Sequence, residues 1–164
     1  MTSDMDQHAD FFSAVAALGT IEVLDVEALR LLFRVECAGE TFYEMLADRI
    51  GDGEAADLLR RNGREERGHA MRVQRALARK LGAWEPSADD LAPYPIPLPE
   101  EIPPAVLPQI VQAELDGDAG YQRWADREGD PEVQRLLRLN GREETGHGER
   151  VRQVIAILER RSAR

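Results

Sequence analysis

The sequence predicts an all-α protein, an antiparallel four-helix bundle with a long crossover between its second and third helices and a short helix before the first. Three observations carry this prediction. Four long segments place apolar residues at helical spacing, with helix breakers between them. The chain also repeats itself, since Glu36–Val73 aligns without a gap on Glu114–Val151, 78 residues later, with 21 of 38 pairs identical. Between the repeats lies a segment with seven prolines from Pro86 to Pro104. A period this long, present only twice, reads as two packed helical hairpins rather than a solenoid.

Taken in order, the elements begin with residues 8–18, HADFFSAVAAL, a short helix suited to covering one bundle edge. The first long helix is expected over 26–50, with Gly51 just past its end, and the second over 53–81, with Asp52 as N-cap. The proline-dense segment cannot be helical and should cross the outside of the domain in extended form. The third long helix is expected over 105–128, with Pro108 tolerated in its first turn. The fourth is expected over 131–160, where Asp130 caps and Pro131 takes the first helical position. Residues 1–24 then form an N-terminal segment and 25–161 the bundle, divided into a hairpin at 25–81, a crossover at 82–104 and a hairpin at 105–161. Short hairpin turns and one long crossover give a one-crossover topology.

A chain of 164 residues fits one domain and buries a core without covalent staples. The net charge of −10, with basic residues interspersed among acids, argues against nucleic acid as a partner. The single cysteine, Cys37, excludes an internal disulfide and a cysteine-ligated iron or zinc site, and fits a reducing compartment. The acidic start lacks the pattern of a signal peptide and no 18-residue apolar run occurs, so a cytoplasmic location without membrane insertion is expected.

The chemistry lies on the apolar stripes. In the first long helix Leu29, Leu32 and Phe33 precede Glu36, and Tyr43 and Ala47 follow it on the same face. In the third, Leu107, Ile110 and Val111 precede Glu114, with Tyr121, Trp124 and Ala125 after it. The second helix aligns Leu59, Asn62, Glu66, His69 and Val73, and the fourth aligns Leu137, Asn140, Glu144, His147 and Val151. Six potential metal ligands therefore face the bundle axis: Glu36, Glu66, His69, Glu114, Glu144 and His147. Four buried carboxylates cannot all remain ionised unaided, whereas two divalent cations relieve the repulsion. Four Glu and two His suit a pair of iron or manganese ions with coordination positions left open.

Around this set, Tyr43 and Tyr121 lie two turns beyond Glu36 and Glu114, placed to hydrogen-bond a ligand carboxylate, and Asn62 and Asn140 are buried by phase near the site. Glu65 and Glu143 point about 100° away from the neighbouring Glu66 and Glu144 and are expected to pair with arginines. Glu40 and Asp118 flank the site, and Cys37 turns off the axis into packing.

With Glu36, Glu66-x-x-His69, Glu114, Glu144-x-x-His147 and the GETFYEMLADR stretch in place, the chain resembles the ferritin-like di-iron carboxylate superfamily over about residues 26–160. Within it the chain resembles the rubrerythrin-like proteins without a rubredoxin domain. The resemblance implies that Glu66 and Glu144 bridge two metals, that Glu36 and His69 complete one, and that Glu114 and His147 complete the other. It implies two Fe ions, with Mn or a mixed Fe/Mn pair as alternatives, reacting with O2 or hydrogen peroxide. Typical rubrerythrins carry an extra Glu three residues after the third-helix ligand, where this chain has Gly117. The symmetric six-ligand set is closer to bacterioferritin, but no methionine occupies its haem-ligand position and no further helix follows residue 160 in the pattern, so large-cage storage is not expected.

The resulting expectation is a di-iron oxidase or peroxidase fed by an external electron donor and acting as a homodimer. The alternatives are iron oxidation and handling in a small oligomer, or monooxygenation of an organic substrate.

Overall fold

The structure, a computed structural model, describes residues 8–51 and 53–164. Among these residues there are five helices and no strand: α1 (Phe11–Gly19), α2 (Val26–Ile50), α3 (Gly53–Leu81), α4 (Val106–Arg127) and α5 (Pro131–Ser162). No helix is long and apolar enough to cross a membrane.

Local chemistry sets most of the boundaries. Asp10 opens α1 with a reciprocal capping box, its carboxylate accepting from Ser13 N while Ser13 Oγ accepts from Asp10 N, so this helix starts three residues after His8. Asp25 caps α2 through Ala28 N at 2.8 Å, and Gly51 ends it in the left-handed region at φ 67°, a conformation glycine adopts without steric cost. Asp52, the expected cap of α3, lies outside the described residues. Asp130 caps α5 through Glu132 N and Val133 N, with Pro131 supplying a pre-set φ and no orphaned N–H. α4 has no side-chain cap, and Pro108 sits in its first turn as expected.

α2 packs along α3 and α4 along α5, and α3 joins α5 to unite the two hairpins. Arg60 of α3 reaches Glu44 and Asp48 of α2, and Arg138 of α5 reaches Gln122 and Asp126 of α4. The core is mainly aliphatic: Leu29, Leu46, Leu59, Leu77 and Leu137 are at most 1% exposed, each stabilising the fold by about 1.5–3 kcal/mol relative to solvent exposure. α1 lies on α2, where Phe11 stacks on Phe42 at 5.4 Å.

The crossover is extended apart from a short turn at 88–91 and is fastened along its length. Trp84 packs edge-on against Phe33, and buried Asp90 accepts from Arg30 Nε at 3.0 Å and from Ser87. The Arg34 guanidinium lies 4.2 Å from the Tyr94 ring centre, and Phe11 N donates to Pro95 O. Cys37 is half-buried beside Ala38 and Tyr94, lining a cleft of about 160 Å³ between α2 and this strap.

Candidate metal centre

Each long helix places its polar ligands where the neighbouring apolar positions of the same stripe are buried, so the carboxylates enter the interior together. Glu36, Glu66, Glu144, His69 and His147 are all under 9% exposed, and the Glu114 side chain keeps 12% of its surface. They form two overlapping groups, Glu36/Glu66/His69/Glu144 and Glu66/Glu114/Glu144/His147, and within each group one ligand atom per residue lies within 4.8 Å of the others. Glu66 and Glu144 belong to both.

The two imidazoles lie side by side, rings stacked at 5.2 Å, with both Nδ1 atoms turned toward the carboxylates. His69 Nδ1 is 3.4 Å from Glu36, 3.3 Å from Glu66 and 3.4 Å from Glu144. His147 Nδ1 is 3.3 Å from Glu66, 3.6 Å from Glu114 and 3.2 Å from Glu144. Both Nδ1 atoms are buried and make no hydrogen bond within the protein. A buried polar nitrogen without a partner is costly, and two of them facing four carboxylates describe a donor set for cations rather than a self-satisfied polar cluster. The residues thus fit bound metal, and Glu66 and Glu144 are common to both groups.

Glycines border two of the carboxylates, and at Gly39 the approach is closer than a side chain ordinarily allows. A Cβ at Gly39 would stand 3.1 Å from Glu66 Cδ, and one at Gly117 would stand 3.6 Å from Glu144 Cδ.

A second layer locks this set in place, and each of its members reaches across from one hairpin to the other. Tyr121 OH donates to Glu36 Oε1 and Tyr43 OH to Glu114 Oε1, so each phenol serves the ligand of the opposite repeat. Burial first, and then the charge of those carboxylates, raises both phenols well above their ordinary pKa, which keeps them protonated as donors. Asn62 Nδ2 donates to His147 O and Asn140 Nδ2 to His69 O.

Glu65 and Glu143 do more than the sequence implied. They do pair with arginines, but they also face the outer nitrogen of the opposite histidine: Glu143 Oε2 lies 3.0 Å from His69 Nε2, and Glu65 Oε2 lies 3.2 Å from His147 Nε2. Arg72 clamps Glu143 with two bonds, at 2.7 and 3.0 Å, and also donates to Asn140 Oδ1, while Arg150 donates one bond to Glu65 and one to Asn62 Oδ1. The sequence carried a signal for these arginines, because Arg72/Arg150 is one of the identical pairs three residues after each histidine. Glu40 and Asp118 stay outside the two ligand groups: Glu40 pairs with Arg67 at 3.5 Å, and Asp118 accepts from Gln122 and Thr145.

The electrostatics of the cluster divide its carboxylates: against the opposing effect of burial, bonds to His147 and His69 hold Glu66 well below the usual carboxylate range, while two others are driven to keep protons. Burial, then the charge of Glu66, lifts Glu36 to about 7, and burial with Glu66 and Glu114 lifts Glu144 well above the ordinary carboxylate value. Both histidines are drawn toward the protonated form: burial opposes this but is outweighed by Glu143, Glu144, Glu36 and Glu66 around His69, and by Glu114, Glu144, Glu65 and Glu66 around His147. In the outer layer His147 and Arg150 hold Glu65 at about 2 against partial burial, and His69 and Arg72 do the same for Glu143. Cations in the cluster would replace the protons that now neutralise it.

A family model described as Rubrerythrin matches residues 27–155. No curated protein and no solved structure matches the chain. The match spans α2 through most of α5 and includes all six clustered ligands. The chain therefore belongs to the rubrerythrin family of ferritin-like di-iron proteins.

Proposed function

We propose that this protein is a di-iron oxidoreductase that reduces hydrogen peroxide or O2 with electrons from an external donor. The observation that carries the reading is the pair of overlapping ligand groups with two orphaned imidazole Nδ1 atoms at their centre. In this reading α2 to α5 form an antiparallel ferritin-like bundle, and the 82–104 strap is its single crossover. Glu36 and His69 hold one ion, Glu114 and His147 the other, and Glu66 and Glu144 are shared.

When bound, two redox-active ions supply the paired electrons that reduction of O2 or peroxide requires. The chain's residues do the rest. Carboxylate and neutral imidazole ligands favour the oxidised ions, and the Glu143/Arg72 and Glu65/Arg150 pairs fix each ring so that Nδ1 points inward. Tyr43 and Tyr121 hold protons against Glu114 and Glu36. The apolar helix faces exclude bulk water, which strengthens each of these interactions. The protein acts in the cytoplasm as a homodimer, without nucleic acid or membrane as a partner.

Stoichiometry tests the reading. Purified protein loaded with Fe(II) without oxygen and then given peroxide and a reductant should turn over many equivalents of peroxide per chain. Retention of more than two irons per chain, with no sustained peroxide consumption, would assign it to iron storage instead.

A further inference from the structure

The two repeats differ in the aromatic side chains behind their tyrosines. On the Glu36/His69 side, Tyr121 OH donates to Glu36, the Tyr121 ring lies 6.3 Å from His69, and the Trp124 indole packs edge-on against Tyr121 at 5.4 Å. Trp124 Nε1 donates to Ile21 O at 2.7 Å, under the 20–25 loop whose Val23 is 58% exposed. An unbroken contact thus runs from the loop to a ligand carboxylate through the two side chains that give up one electron most readily.

On the Glu114/His147 side the equivalent of Trp124 is Leu46. Tyr43 there contacts Phe42, which leads to Phe11 and Phe12, and phenyl rings do not carry an oxidising equivalent under these conditions.

We propose that Trp124 and Tyr121 form a one-electron relay that carries reducing equivalents from the 20–25 loop to the Glu36/His69 half of the metal centre. The relay rests on the di-iron reading above. Hydrogen peroxide is the oxidant, taking two electrons from the centre and two protons from solvent to give two waters, after which the relay returns the two electrons one at a time. Each electron leaves Tyr121, whose phenolic proton moves to Glu36 along the existing hydrogen bond. Trp124 then reduces the tyrosyl radical and the proton returns from Glu36. The indole proton has only the Ile21 carbonyl to face, which does not take it up, so Trp124 remains a radical cation until an external one-electron reductant fills it.

The test uses the protein loaded with Fe(II), mixed with excess peroxide without reductant and freeze-quenched for electron paramagnetic resonance. Iron content and oxidation are read optically on the same samples. The wild type should give an organic radical altered by deuterated tryptophan. Tyr121→Phe, which removes one hydroxyl, should lose it. Trp124→Phe should leave only a tyrosyl signal, Trp124→Tyr should restore a two-residue relay, and Trp84→Phe, at the far crossover, should keep the wild-type spectrum. If Tyr121→Phe binds and oxidises two irons yet shows the wild-type radical, the relay is overturned and the di-iron reading stands. If the wild type fails to bind or oxidise two irons, both fall.

Discussion

Removing Glu143 should weaken one metal position and spare the other. Its carboxylate faces His69 Nε2 at 3.0 Å and receives two bonds from Arg72, while His69 Nδ1 belongs only to the group with Glu36, Glu66 and Glu144. In Glu143→Ala the imidazole keeps its inward nitrogen but loses the carboxylate that fixes its orientation and raises its basicity. Loss of such an outer partner costs 10–100-fold in metal affinity, about 1.4–2.7 kcal/mol. Fe(II) or Mn(II) binding followed by calorimetry should therefore split into two steps, one at the wild-type affinity and one weaker by that factor. Glu65→Ala should produce the mirror image through His147. Arg72→Ala combined with Glu143→Ala should cost less than the sum of the two single changes, because the arginine reaches His69 mainly through that carboxylate and otherwise only through Asn140. Equal weakening of both ions, or no weakening in either variant, would refute the assignment of one outer carboxylate to each metal.

Other outcomes follow from the same contacts. Glu66→Ala or Glu144→Ala should abolish paired binding, since each serves both groups, and equilibrium dialysis should then find fewer than two ions per chain. Gly141→Ala should destabilise the fold by about 1–3 kcal/mol, because its Cβ would meet Asp118 and Gln122 at 2.7 Å and Tyr121 Cβ at 2.9 Å. Gly146→Ala, whose nearest neighbour is 3.8 Å away, should leave stability unchanged or raise it by up to about 1 kcal/mol in thermal unfolding. The metal-free protein should lose stability as pH rises. Glu36 holds its proton to about 7 when folded against 4.5 unfolded, so its contribution is whole below 4.5 and is lost through about 7. The histidines, raised from 6.5, act in the same direction above that value. The slope is about 1.4 kcal/mol per pH unit for each proton retained on folding. Thermal melts between pH 5 and 8 should show this decline without metal and a much flatter profile with it, because bound cations displace those protons.

The six clustered ligands were legible because two independent regularities overlap on them: the 78-residue offset pairs them, and helical phase sends each to a buried stripe. Helix boundaries followed from Gly51, Asp130-Pro131 and the proline run, where local chemistry outweighs tertiary context. What phase could not show was the crossing of contacts between repeats. Tyr43 lies two turns from Glu36 on one helix, yet its hydroxyl meets Glu114, since hairpin packing brings opposite repeats closer than the same stripe does. The same limit hid Glu65 and Glu143. Their 100° rotation away from Glu66 and Glu144 follows from helical spacing, but the surface they turn toward is the facing helix, where the other histidine presents Nε2. Intrahelical geometry alone contains no information on α3–α5 register, and only the paired identity of Arg72 and Arg150 hinted at it.

Everything functional rests on two ions sharing Glu66 and Glu144, so anaerobic Fe(II) titration of the metal-free protein, with bound iron counted per chain, is the most direct measurement. Saturation at two per chain, falling below two in both Glu66→Ala and Glu144→Ala, is the expected result. Saturation at one in the wild type, or at two in either variant, would contradict a shared dinuclear centre.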